Sequence, residues 1–336
     1  MSFNNLALVV SRNLPPELSN KFSLKSLKLA YKLNLLKVLF PSIDAKTSPI
    51  NFFGLDFPNK IGVAGGLDKN AEYFHVLGNL GFGFVEVGTI TMKPQQGNPK
   101  PRIHRFNNEE TIINSLGFNN IGAVEALKNI EKNKSSFKGV LGVSIGKGKE
   151  IKNERAHEDY LHLIDYFKDV ADYFAVNISS PNTENLRKLS KDDFFKKLTD
   201  EIINKREQIS KGFSKYKPII LKISPDESFS DLEKIVSISL EKKVDGFILT
   251  NTSLDHSYNL PGGISGQPLR RKSEESLKFV RSIIGDKAVI ISSGGLMSKE
   301  DVITRFSLKA DLIQLYSGFV FHGNKLLQDA LEISST

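Results

Sequence analysis

"YFAVNISS", residues 173–180, opens as an apolar, β-rich run and ends in Asn177, Ser179 and Ser180. A short run that is apolar at successive positions suits a strand buried on both faces, as in a parallel sheet. Seven further runs share this make-up: "KIGVAGG" (60–66), "FGFVEVGTI" (82–90), "GVLGVSIGK" (139–147), "PIILKIS" (218–224), "VDGFILTNT" (244–252), "AVIISSGG" (288–295) and "DLIQLYSG" (311–318). Longer stretches of helical period lie between them. "SKDDFFKKLTDEIINKREQIS" (190–210) starts with Ser190 as an N-cap and acidic residues in its first turn, which suit the positive end of a helix dipole. Strands alternating with helices predict parallel βαβ units, and eight of them predict a closed (β/α)8 TIM barrel of the α/β class. In such a barrel the site lies at the C-terminal strand ends.

Those ends are small or polar: Gly65-Gly66, Thr89, Ser144, Asn177 with Ser180, Lys222 with Ser224, Thr250-Asn251-Thr252, Gly294-Gly295 and Tyr316-Ser317-Gly318. Any one of them reads as a turn or a cap. Gathered at one barrel mouth they predict a site. The loops after the last two strands commonly hold phosphate in this fold, and "SSGG" (292–295) with "YSG" (316–318) suits that use, two glycine-rich turns being the alternative. Lys222 points inward from the fifth strand, where an ammonium is costly to bury without an anionic partner.

Composition narrows the chemistry. The 336 residues are 40% apolar, which supplies a substantial core while leaving one or two domains open. There is no cysteine, so disulfides, thiolate nucleophiles and Cys-ligated metals are excluded. The net charge of +8 fits either solvated lysine faces or an anionic partner such as a membrane surface. No apolar run reaches the roughly 18 residues that span a bilayer, and "LALVV" (6–10) is too short for a secretory signal, so a chain that does not cross a membrane is expected. Residues 21–40, "KFSLKSLKLAYKLNLLKVLF", carry Leu24, Leu27, Tyr31, Leu35 and Val38 at helical spacing, with Lys25, Lys28 and Lys32 on another face. The preceding "LPPELS" reads as a turn between two short helices. The amphipathic helix suits packing on the barrel and the interface of an anionic membrane equally. The expected division is an N-terminal helical segment, 1–46, and a barrel, 47–336. The connections at 91–121 and 253–272 exceed simple βα turns, a mark of binding or catalytic loops.

Nine stretches together carry a family resemblance: "GGLDKN" (65–70), "EVGTIT" (86–91), "NSLGFNN" (114–120), "NISSPNT" (177–183), "LKISPD" (221–226), "TNTSLD" (250–255), "GGISGQPLR" (262–270), "SGG" (293–295) and "QLYSGFVF" (314–321). In order and spacing, over about residues 47–325, the chain resembles dihydroorotate dehydrogenase of the quinone-linked, membrane-associated class 2. The resemblance implies one FMN per chain and oxidation of dihydroorotate to orotate in pyrimidine synthesis. It assigns FMN to Gly65, Gly66, Leu67, Asp68, Lys69, Thr89, Ser144, Asn177, Lys222, Thr250, Gly266, Gly295, Tyr316 and Ser317. It surrounds the substrate with Lys69, Asn114, Ser115, Leu116, Gly117, Phe118, Asn177, Asn182, Asn251 and Thr252.

These types match the chemistry of an anionic ring that loses a C5 proton and a C6 hydride. Asparagine amides both donate and accept at an imide edge, and a lysine holds a carboxylate. Ser180 is the implied base, helped by desolvation or by a relay near Thr183, with Phe118 shielding it. The soluble class 1 relatives use cysteine there. Ser144 stands where the pattern carries asparagine, and His104 where it carries an apolar residue. The resemblance also gives the N-terminal extension the task of admitting quinone, with Arg105 and Tyr316 lining its tunnel. A monomer on the cytoplasmic face of the membrane, free of nucleic acid and metal, is the expected state. Two other readings share parts of the pattern: a flavin barrel acting on RNA, which depends on a cysteine acid, and a barrel that holds flavin without turnover.

Overall fold

A computed structural model describes residues 13–40, 49–180, 182, 187, 192–213 and 216–335. Helix α1 (Pro16–Lys32) and the single turn α2 (Leu36–Leu39) come first. Thirteen strands follow among the described residues: β1 (Ile50–Phe52), β2 (Leu55–Phe57), β3 (Ile61–Asp68), β4 (Phe84–Ile90), β5 (Ile103–Phe106), β6 (Thr111–Asn114), β7 (Val140–Ile145), β8 (Tyr173–Asn177), β9 (Ile219–Ile223), β10 (Gly246–Leu249), β11 (Gly263–Gly266), β12 (Val289–Ser293) and β13 (Leu312–Leu315). Strands β3, β4, β7, β8, β9, β10, β12 and β13 pair in parallel in that order, and β13 closes on β3 with Ile313 opposite Ile61. All eight runs of the sequence are barrel strands.

The barrel interior is filled from its N-terminal end. Phe84, Tyr173, Ile220, Ile248, Ile291 and Leu312 make an apolar floor. Gly62 and Gly142 are required beside it, because a Cβ would lie 2.3 Å from the Phe84 ring and 2.1 Å from the Tyr173 ring. The antiparallel β1–β2 hairpin plugs this end with fully buried Phe57, whose ring stands edge-on to Phe84 at 5.5 Å. At the same rim a repeated clasp joins neighbouring strands. Asp172, Asp245 and Asp311 each precede a strand and accept the backbone N–H of Leu141, Ile219 and Ile290 on the next strand over. Each also accepts from a cation, respectively Lys134, Arg206 and Arg281.

The two long connections form structure of their own. Strands β5, β6 and β11 make a three-stranded antiparallel sheet, with β11 drawn from the 253–272 connection and the others from 91–121. That sheet lies at the mouth.

The N-terminal segment differs from the expected single helix over 21–40. Proline stands in the first turn of α1, where its missing N–H costs nothing, and Leu14 and Pro15 of "LPPELS" form a bend between helical Asn13 and α1, the residues before Asn13 lying outside those described. Asn34 at φ 56° then breaks the helix before α2. Leu24 is buried and Leu27 and Tyr31 pack on the barrel core, but Leu35 and Val38, beyond the break, stand exposed. Lys28 is turned inward as well, donating to Glu72 O at 3.0 Å and lying over the Tyr73 ring. A second apolar row, Leu18, Phe22, Leu29 and Leu33, is more than half exposed, and Phe22, Leu29 and Leu33 also edge the cavity between α1, α2 and the barrel. Exposed Lys21, Lys25 and Lys32 accompany it. No described helix is long and apolar enough to cross a membrane. Ser190 and the boundary at 46–47 lie outside the described residues.

Candidate active site

The alternation of strand side chains aims Asn177, Lys222, Gln314 and Tyr316 into the mouth, above the apolar floor. There they share one cavity with Gly65, Gly66, Lys69, Thr89, Ser180, Thr250, Asn251, Thr252, Gly295 and Ser317. The end of β6 brings Asn114, and loops bring Leu116, Gly117, Phe118 and Asn182, to the same wall. Ser293 and Gly294 of the "SSGG" turn also line it, as do Ser265 and Gln314, to which the sequence reading gave no role. Ser265 and Gln314 sit inside motifs already quoted, which was the available signal.

Amides organise the polar side. Asn177 Nδ2 donates to Thr89 Oγ1 at 2.9 Å, and Asn251 Nδ2 donates to Asn177 Oδ1 at 3.3 Å and to Ser179 Oγ at 3.1 Å. Asn182 Nδ2 donates to Asn114 Oδ1 at 3.1 Å, while the Asn182 backbone N–H donates to Ser180 Oγ at 3.3 Å. Ser180 is only 6% exposed. Lys69 Nζ donates to Gly66 O at 2.8 Å, and enclosure of its ammonium lowers the lysine to about 8. Thr183 lies outside the described residues.

Several expected residues stand elsewhere. Asp68 turns away and accepts the N–H groups of Glu72 and Tyr73 at 2.9 and 2.8 Å, and burial pushes its carboxyl up to about 6. Leu67 faces a different cavity. Ser144 sits behind the wall, its Oγ 2.9 Å from Thr89 Oγ1, so it braces the threonine that receives Asn177. Ser115 is tied into the loop by its backbone, its N–H donating to Arg102 O at 2.9 Å. Gly266 supports the wall from behind, its φ of 90° carrying the chain past Glu110 O, which a Cβ would meet at 2.0 Å.

The donor set fits FMN. Lys222 is 6% exposed and offers an ammonium to the cavity. At the opposite end the "SSGG" turn is held by Arg305, fully buried, which donates to Gly294 O at 2.9 Å and Ser273 Oγ at 2.8 Å. A side chain at Gly295 would collide with the Arg270 backbone at 2.2 Å, so bare backbone borders the cavity there. A flat floor, a buried cation and a bare glycine turn suit a planar ring with a phosphate tail.

A second cavity of about 560 Å³ lies between α1, α2 and the barrel. Leu27, Ala30, Leu67, Ile112 and Val320 make it apolar, and Arg105 and Tyr316 add polar groups. Arg105 donates to Ser19 Oγ at 3.3 Å and Leu14 O at 3.1 Å, and burial pushes the Tyr316 phenol up to about 12. Asn114 and Tyr316 line both cavities.

A parallel barrel with a cationic flavin cradle, an amide-lined polar cavity and an adjoining apolar one defines a flavin-dependent oxidoreductase that handles two unlike reactants. The family model for dihydroorotate dehydrogenase matches residues 48–333. The chain is 41% identical over 326 residues to dihydroorotate dehydrogenase (quinone) of Neisseria meningitidis serogroup A, covering 95% of this chain and 96% of that one. It is 43% identical over 305 residues to dihydroorotate dehydrogenase (quinone) of Buchnera aphidicola subsp. Schizaphis graminum, covering 88% and 89%. The crystal structure of the Eimeria tenella enzyme in complex with ferulenol matches with a TM-score of 0.85 at 31% identity, covering 94% of this chain and 89% of that one. The chain belongs to the dihydroorotate dehydrogenase family, in its quinone-linked class.

Proposed function

We propose that Ser180 is the base of the reaction and that the barrel mouth and the α1 cavity divide the two half-reactions between them. The reaction is oxidation of dihydroorotate to orotate in pyrimidine synthesis, with FMN as cofactor and a quinone as acceptor. Bound FMN supplies the two-electron acceptor that the side chains lack. Lys222, Thr89, Asn177, Thr250, Gly295 and Ser317 hold it, and Lys69 holds the substrate carboxylate. Asn114, Asn177, Asn182 and Asn251 present paired donors and acceptors to the imide edge.

Ser180 Oγ takes the C5 proton. A serine is a weak base in water, so its own hydroxyl proton leaves, to water or to the relay near Thr183, as the C5 proton arrives, and the C5–H electron pair stays in the new ring double bond. Burial and the Asn182 N–H that Oγ accepts favour the alkoxide character this oxygen passes through. Residues 1–46 form the quinone-admitting segment and 47–336 the catalytic barrel. The exposed row of α1 with its lysines seats the chain peripherally on a membrane, at the cytoplasmic face in a bacterium.

The observation that carries this reading is the single cavity wall shared by Ser180, Lys69 and the asparagines. The test is anaerobic: dihydroorotate is added to the yellow protein and its visible absorbance followed. Ser180→Ala should keep FMN and bind substrate but bleach about 10²- to 10⁴-fold more slowly. Near-normal single-turnover bleaching in that variant overturns the assignment, and no bleaching in the unaltered protein favours flavin storage without turnover.

A further inference from the structure

Glu86 lies in the middle of β4, fully buried on the barrel interior, and neither reactant's site uses it. Its Oε2 accepts from Gln314 Nε2 at 2.8 Å. Its Oε1 has no hydrogen-bond partner among the described residues and stands 3.7 Å from Lys222 Nζ. A Cβ on Gly65 would lie 2.3 Å from that same oxygen. Gly65, Lys222 and Gln314 all line the flavin cavity, so the carboxylate sits one layer beneath its floor. Below it the Tyr173 phenol is pushed well above its usual value by burial and by the Glu86 charge. A leucine or methionine would fill this place without the several kcal/mol that desolvating a carboxylate costs, so packing does not account for Glu86.

We propose that Glu86 is a positioning residue that acts through Lys222. At 3.7 Å the contact exceeds hydrogen-bond length, so the carboxylate draws the ammonium to the cavity floor by charge alone. Among the described residues Lys222 Nζ has no hydrogen-bond acceptor, and its three N–H donors remain for the cavity's occupant. Glu86 also neutralises part of the lysine charge, and so limits how strongly the site favours the more negative, reduced state of its cofactor. This rests on the cofactor being FMN.

The experiment uses holoprotein and reads the flavin midpoint potential and FMN dissociation, not turnover. Glu86→Gln should retain FMN and move the two-electron equilibrium about tenfold toward reduction, a positive shift of about 30 mV. Glu86→Asp, which keeps the charge, should stay near the parent. Lys222→Gln leaves the buried carboxylate unopposed beneath the cavity and should weaken FMN binding. Adding Glu86→Gln to that variant should restore at least tenfold of the loss, whereas Glu86→Gln alone should change affinity less than threefold. An unchanged or lowered potential in Glu86→Gln overturns the proposal. So does a double variant that binds no better than Lys222→Gln, and this arm decides the matter if Glu86→Gln alone fails to fold. Absence of FMN from the parent protein instead overturns the cofactor reading.

Discussion

Lys69 has the most testable chemistry of any single side chain at the mouth. With its ammonium lowered to about 8, it loses charge within a unit of neutrality's alkaline side, where an exposed lysine stays protonated past pH 10. Only the charged form attracts a substrate carboxylate. Accordingly kcat/KM, which reports the free enzyme, should be level below pH 8 and fall above it. The decline in kcat should begin at higher pH, because a bound carboxylate raises the lysine again. Lys69→Arg, charged throughout, should lose the alkaline fall in kcat/KM; persistence of that fall in the arginine variant assigns it to another group. Motifs showed where along the chain such residues lie, since small and polar types at strand ends stand out against apolar runs. They did not show which way each side chain points. Asp68 and Lys69 are adjacent in "GGLDKN", yet one caps the following turn and the other lines the cavity. Glu86 was equally hidden, a lone acid inside a buried strand with nothing in the sequence to name its neighbour.

At the scale of elements, α1 is apolar on two sides, and only the inward side follows the row first read from the sequence. Leu18, Phe22, Leu29 and Leu33 recur at spacings of four, seven and four, which places them on one outward row. Replacing all four with serine removes apolar area worth about 1.5–3 kcal/mol per fully buried side chain. Liposome binding should therefore fall at least about a hundredfold, and reoxidation by a long-tailed quinone should fall with it. FMN content and bleaching by dihydroorotate should be unchanged, because the row is exposed. Undiminished liposome binding would show that another surface meets the lipid. The helix itself was legible because its period repeats over several turns. Its break was not, since Asn34 differs little in type from the polar residues before it. The mouth sheet escaped for a related reason: β5, β6 and β11 span four residues each, too few for an alternation to declare itself, and β5 is half-buried throughout.

The whole barrel was readable because parallel strands buried on both faces are apolar over most of their length, and all eight runs were, with polar residues few or gathered at the ends. The clasps that close it were not readable, because an aspartate before a strand looks like any turn residue. Asp245→Ala tests them. It removes one of the two carboxylates that Arg206, 1% exposed, pairs with, leaving Glu207 at 2.8 Å, and leaves the Ile219 N–H without its acceptor. A loss of about 2–3 kcal/mol in denaturant unfolding is expected from the lost charged hydrogen bond and the unsatisfied N–H, with normal FMN content in the fraction that remains folded. A loss below about 1 kcal/mol would mean that water replaces the clasp. The polar and apolar cavities meet at Asn114 and Tyr316, so one thickness of side chain divides them. On the proposed division of the two half-reactions, dihydroorotate and quinone do not compete for the same space, and each turnover is completed in two visits. It follows from that proposal that a molecule lodged in the apolar chamber should arrest the cycle after the first product has formed, and that no surplus of dihydroorotate should dislodge it.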